Sequence, residues 1–118
     1  MTSEYTIYHN PRCSKSRKTL ELLEQAGVTP NIVEYLNTPP SATDLKRIVT
    51  LLGCEPRELI RSKEAVYSEL GLGDETLGHD ELLNAMAENP VLIERPIVLK
   101  NDHAVIGRPP ENVLTLLD

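Results

Sequence analysis

Between residues 5 and 35 the chain changes periodicity twice, and this constrains its fold more than any other feature. Tyr5 and Ile7 alternate as on a strand, expected over Tyr5 to Tyr8. Leu20, Leu23 and Ala26 then recur at helical spacing, giving a helix from about Ser14 to Ala26 that Gly27 stops. Asn31-Ile32-Val33-Glu34-Tyr35 reads as a second strand. Strand, helix and strand in so short a span have the size of a β-α-β unit, which implies parallel strands and a right-handed crossover. The loop His9-Asn10-Pro11-Arg12 therefore leaves the C-terminal edge of the first strand, where open α/β sheets place their sites. Cys13 or Ser14 should begin the helix.

A helix start offers unpaired N–H groups and the positive end of a dipole, and so favours an anion, whether a thiolate or a bound oxyanion. The neighbouring side chains agree. Arg12, Lys15, Arg17 and Lys18 face one acid, Glu4, in the first 18 residues, a local +3 in a chain of net charge −6. The remaining 100 residues then carry −9. A free cysteine titrates at about 8.5, and helix starts with nearby cations bring that down to roughly 3.5 to 7.5. Cys13 is read as a reactive thiolate on this ground. The spacing is Cys13-Ser14-Lys15-Ser16, so no second thiol lies within one helical turn to resolve an intermediate.

Further along, Pro39-Pro40 breaks the chain, and Ser41 with Asp44 caps a helix through Leu45, Ile48, Val49 and Leu52 that Gly53 ends. Cys54 follows beside Glu55 with only Arg57 as a nearby cation, and is read as structural. Short helical pieces are expected at Arg57 to Ile60 and Glu64 to Leu70, then a Gly71-Leu72-Gly73 loop and a helix from about Asp80 to Ala87. Ile97-Val98-Leu99 and Ala104-Val105-Ile106 flank the turn Lys100-Asn101-Asp102 as a hairpin, and a last helix runs from Glu111 to Leu117. The expected architecture is one α/β domain over 1–118. A helical insertion, about 41–88, separates a β-α-β half from a β-β-α half.

Charge and composition narrow the partners. A net −6 opposes a phosphate backbone, and the absence of Phe and Trp removes the stacking platforms that single-stranded nucleic acid uses. No nucleic-acid partner is expected. No segment approaches the roughly 20 apolar residues a bilayer requires, and the start has no export signal, so a cytoplasmic protein with no membrane contact is expected. Cys13, Cys54 and the three His residues share no metal spacing, so no metal is expected, and His79 and His103 read as surface residues.

The run His9-Asn10-Pro11-x-Cys13-x-x-Ser16-Arg17-x-Thr19-Leu20 resembles the active-site signature of the glutaredoxin-dependent arsenate reductases. The likeness continues at Leu59-Ile60-Arg61, across Asn89 to Val98, and at Ile106-Gly107-Arg108-Pro109-Pro110. It implies a thioredoxin-like, three-layer fold and a thiol oxidoreductase without a bound cofactor. In such an enzyme the Cys13 thiolate attacks arsenate, glutathione displaces at the adduct, and glutaredoxin completes reduction to arsenite. Arginines at the positions of Arg61, Arg95 and Arg108 bind the oxyanion in that family, and Arg suits the task because its planar fork holds two oxygens at once. His9 could stabilise the thiolate or donate a proton, while Asn10 and Ser16 could orient the loop. The resemblance also implies a cis Arg95-Pro96 bond and convergence of the three arginines on Cys13. Two alternatives stay open: an arsenate-reductase-like protein of another substrate, and an Spx-type regulator that binds RNA polymerase, which usually carries Cys-x-x-Cys here.

Overall fold

The computed structural model describes residues 4–117, which form two compact units. The first comprises the described residues up to Thr38 and from Arg95 onward; the second is Pro39–Glu94.

In the first unit, β1 (Tyr5–His9), α1 (Ser14–Gln25) and β2 (Asn31–Glu34) form the β-α-β element, with β1 and β2 parallel. Gly27 lies at φ +82°, a left-handed conformation in which a Cβ would be strained, and this turns the chain from α1 toward β2. β3 (Ile97–Lys100) and β4 (His103–Ile106) form the hairpin, turning through Asn101 at φ +53°. β3 lies antiparallel beside β1, so the four-stranded mixed sheet has the order β2-β1-β3-β4. Ile7, Leu23, Val98, Val113 and Leu116 make the buried core between sheet, α1 and the terminal helix. Burying side chains of this size stabilises by about 1.5–3 kcal/mol each.

The terminal segment differs from expectation in kind. Pro110–Leu116 is a 3-10 helix rather than an α-helix. At three residues per turn, Val113 and Leu116 eclipse on one face and are buried, whereas Leu114 between them is 46% exposed. Lys100 Nζ and Tyr5 Oη both donate to the Leu116 carbonyl, at 2.7 and 3.1 Å.

The second unit holds α2 (Ala42–Leu52), α3 (Pro56–Leu59), α4 (Ala65–Glu69) and α5 (His79–Glu88), followed by a 3-10 turn at Pro90–Leu92 that follows the Asn89-Pro90 break. Ser41 and Asp44 close the expected capping box, and Gly53 ends α2 at φ +68°. α2 and α5 pack together around buried Leu45, Ile48, Leu82 and Met86. Arg57 ties the loop after α4 to α3, its guanidinium donating to Tyr67 Oη and to the carbonyls of Leu72 and Asp74. No described helix is long and apolar enough to cross a membrane.

Candidate active site

The loop after β1 is a β-turn closed by the Cys13 N–H, which donates to the Asn10 carbonyl at 3.0 Å. Asn10 Oδ1 accepts from the Arg12 N–H at 3.0 Å, the local bond that favours Asn in turns, and Arg17 Nη1 donates back to the Pro11 carbonyl at 3.0 Å. Cys13 thus arrives in an extended conformation as the N-cap of α1. Its carbonyl accepts the first helical bond, from the Arg17 N–H, while its side chain caps nothing. Helix geometry leaves the N–H groups of Ser14, Lys15 and Ser16 without intrahelical acceptors, and no acid lies in that first turn. The half-buried Cys13 thiol therefore sits at the positive end of a 12-residue helix.

Ser16 and His9 are joined to each other. Ser16 is fully buried, and its Oγ lies 2.6 Å from His9 Nδ1 while accepting from the Asn10 N–H at 3.0 Å. Burial pushes the His9 pKa below 6.5, Glu34 and Glu24 oppose that shift, and Arg17 adds to it. This environment favours the neutral ring. If Ser16 donates its one hydrogen to Nδ1, the ring proton resides on Nε2. Asn10 and Ser16 both bond the loop backbone, whereas the direct partner of His9 is Ser16.

Arg95 and Arg108 come together in the first unit. Arg108 Nε donates to the Arg95 carbonyl at 2.9 Å, and both arginines precede cis prolines, at Arg95-Pro96 and Arg108-Pro109. The first of these cis bonds was expected; the second had no signal in the sequence. The Nε and Nη1 atoms of Arg95 are shut off from solvent. Gly107 packs so closely beneath α1 that a Cβ there would lie 2.5 Å from Thr19 Oγ1 and 2.8 Å from Pro96 Cγ. Its N–H donates to the Pro96 carbonyl at 2.9 Å. The helix that begins at Cys13 is therefore seated, through Thr19, on the loop carrying Arg108. Arg61 belongs to the second unit, where Nη1 lies 3.2 Å from Glu64 and Nε 4.0 Å from Glu94.

Cys54, in the second unit, follows the C-terminus of α2, and burial together with Glu58 raises its pKa. The first unit thus combines a thiol at a helix start, a neutral buried imidazole held by a hydroxyl, and two neighbouring arginines. Such a set can present a nucleophilic sulfur to an anion.

The ArsC family model matches residues 8–116, nearly the whole chain. This chain belongs to the ArsC family. The matched region contains Cys13, His9, Asn10, Ser16, Arg61, Arg95 and Arg108. Among ArsC-family relatives, an arsenate reductase of Neisseria meningitidis is 50% identical over 115 residues, covering 97% of this chain and 98% of the relative. YfgD of Escherichia coli K12, described as uncharacterized, is 52% identical and covers 99% of each chain. The solved arsenate reductase from Vibrio cholerae superposes with a TM-score of 0.93 at 53% identity, covering 98% of each chain. The mixed sheet with its helices is accordingly the thioredoxin-like fold of ArsC structures.

Proposed function

We propose that this chain, acting over 1–118 as one arsenate-reductase-type domain, reduces arsenate to arsenite through Cys13, with glutathione and glutaredoxin supplying the electrons. The observation that carries the proposal is Cys13 as the N-cap of α1, with cations and no acid in the first helical turn, in a chain about half identical to named arsenate reductases. The thiolate attacks arsenic(V), a sulfur–arsenic bond forms, and an oxygen ligand leaves as water after protonation. Glutathione next displaces a second oxygen ligand, which also leaves as water, and a glutaredoxin thiolate then attacks the glutathione sulfur. That sulfur–arsenic bond breaks with its electron pair left on arsenic, so arsenic(V) becomes arsenic(III) and the two outside sulfurs end as a glutaredoxin–glutathione disulfide. Water then releases arsenite from Cys13, which returns as the thiol. Ser16 in place of a second cysteine supports a borrowed thiol, because a one-cysteine site cannot form its own disulfide.

Arg95 and Arg108 bind the oxyanion in this reading, supported by their adjacency and their planar forks. For Arg61 the support is the family resemblance of Leu59-Ile60-Arg61 alone. His9 and Asn10 act with Ser16 to hold the loop that presents the sulfur. A cytoplasmic setting follows from the need for a reduced glutathione pool.

The test is arsenite formation from arsenate with glutathione and glutaredoxin, beside a pull-down of RNA polymerase. Turnover that requires both thiol donors supports the proposal. A Cys13 that reacts with alkylating reagents while arsenate is not reduced would favour an arsenate-reductase-like protein of another substrate.

A further inference from the structure

A cleft of about 320 Å3 opens beside the Cys13 loop, bounded by Asn10, Pro11 and Arg12 on one side and by Glu34, Leu36 and Asn37 on the other. Its two walls come from adjacent parallel strands, since His9 at the end of β1 is in register with Glu34 at the end of β2. The loop side begins at Asn10, the first residue of the turn that Cys13 closes, so the cleft lies one β-turn from the reactive residue. Its charges are opposite and separate. Glu34 is exposed, and its carboxylate accepts a long 3.4 Å bond from Asn37 Nδ2, while Arg12 projects from the turn as an exposed cation. Between them Pro11 and the 42%-exposed Leu36 supply apolar contact.

We infer that this cleft binds the zwitterionic end of the small thiol peptide that attacks at Cys13, with the ammonium on Glu34 and the carboxylate on Arg12. The inference rests on the reading of Cys13 as a thiol nucleophile, and adds where the second thiol is held. Opposite charges across one cleft match an amino-acid group, which carries both signs two bonds apart. Neither a simple anion nor a neutral thiol would use both walls. The cleft is small by the standard of ligand sites, which begin at about 300 Å3, and so suits one end of a tripeptide rather than the whole of it.

The test uses thiol–disulfide exchange, which needs no arsenate. The Cys13 thiolate attacks one sulfur of oxidised glutathione, that S–S bond breaks, one glutathione leaves as thiolate, and Cys13 is left in a mixed disulfide. Mass spectrometry of the full chain gives the rate for oxidised glutathione and, as reference, for bis(2-hydroxyethyl) disulfide, which has no charged ends. Glu34→Gln should slow the glutathione reaction about threefold to fivefold, the range of an exposed charge pair, and leave the reference rate unchanged. Glu34→Lys should slow it further, Arg12→Gln, which also removes a cation near Cys13, should lower the ratio of the glutathione rate to the reference rate, and added salt should shrink all three differences. A fall in both rates together, or in neither, for the Glu34 variants, or an unchanged ratio for Arg12→Gln, overturns the cleft assignment while leaving Cys13 as the nucleophile. A wild-type Cys13 unreactive toward both disulfides would remove the nucleophile reading and this inference with it.

Discussion

The two cysteines sit at opposite kinds of helix end, and each end gives its thiol a different character. Cys13 is the N-cap of α1, where N–H groups point outward and the first helical turn carries cations and no acid. Cys54 follows Gly53 just beyond the C-terminus of α2, its own N–H donating to the Val49 carbonyl, with Glu58 and burial both opposing ionisation. The helix dipole favours negative charge at the first position and disfavours it at the second. Residue type alone says nothing about this; the direction of the neighbouring helix decides it.

The strongest attempt to break the contrast exchanges sulfur for oxygen. Cys13→Ser should abolish arsenate turnover, while Cys54→Ser should keep most of it. Equal loss in both would make the cysteines an internal redox pair and end the borrowed-thiol mechanism. Next in size, Arg95→Lys or Arg108→Lys should lower kcat/KM for arsenate by about tenfold to hundredfold, because a point charge replaces a fork that grips two oxygens. Unchanged kinetics in both variants would leave the Cys13 side of the comparison without an oxyanion site. Alkylation by iodoacetamide near pH 7 should favour Cys13 over Cys54 by about thirtyfold or more, read by peptide mass spectrometry. The smallest effect sharpens the comparison from the other side. Glu58 disfavours the Cys54 thiolate, so Glu58→Gln should lower the Cys54 pKa and about double its alkylation rate near pH 8, with Cys13 unaffected. A Cys54 rate that falls or stays constant would show that the carboxylate has no part in its inertness.

Most of the fold was legible because its punctuation is local. Gly27 and Gly53 adopt the left-handed conformations that end α1 and α2, and Ser41 with Asp44 closes the capping box, each visible as a residue type at a helix boundary. The terminal segment was harder. Val113, Leu114, Leu116 and Leu117 fit a helix of either 3.6 or 3.0 residues per turn, and only packing selects the pair Val113 and Leu116 as the buried face. In the candidate site, Cys13 could be placed from the strand-to-helix junction alone. The bond between His9 and Ser16 could not, since seven residues and a turn separate them and each had a plausible role toward sulfur instead. The Arg57 clamp was missed for a related reason: two of its acceptors are carbonyls, which every residue carries and no sequence advertises.

The buried hydroxyl of Ser16 also bears on how such a protein could change over time. A single-step route to a self-sufficient two-thiol enzyme would replace Ser16 with Cys, but Ser16 Oγ is the acceptor for the Asn10 N–H and the partner of His9 Nδ1. Sulfur is larger and a weaker hydrogen-bond partner. The substitution would gain a resolving thiol and loosen the loop that presents the first one. If the proposed borrowed-thiol mechanism holds, the packing around Ser16 ties the protein to an outside reductant, and abandoning it would require the loop, the imidazole and the helix start to change together.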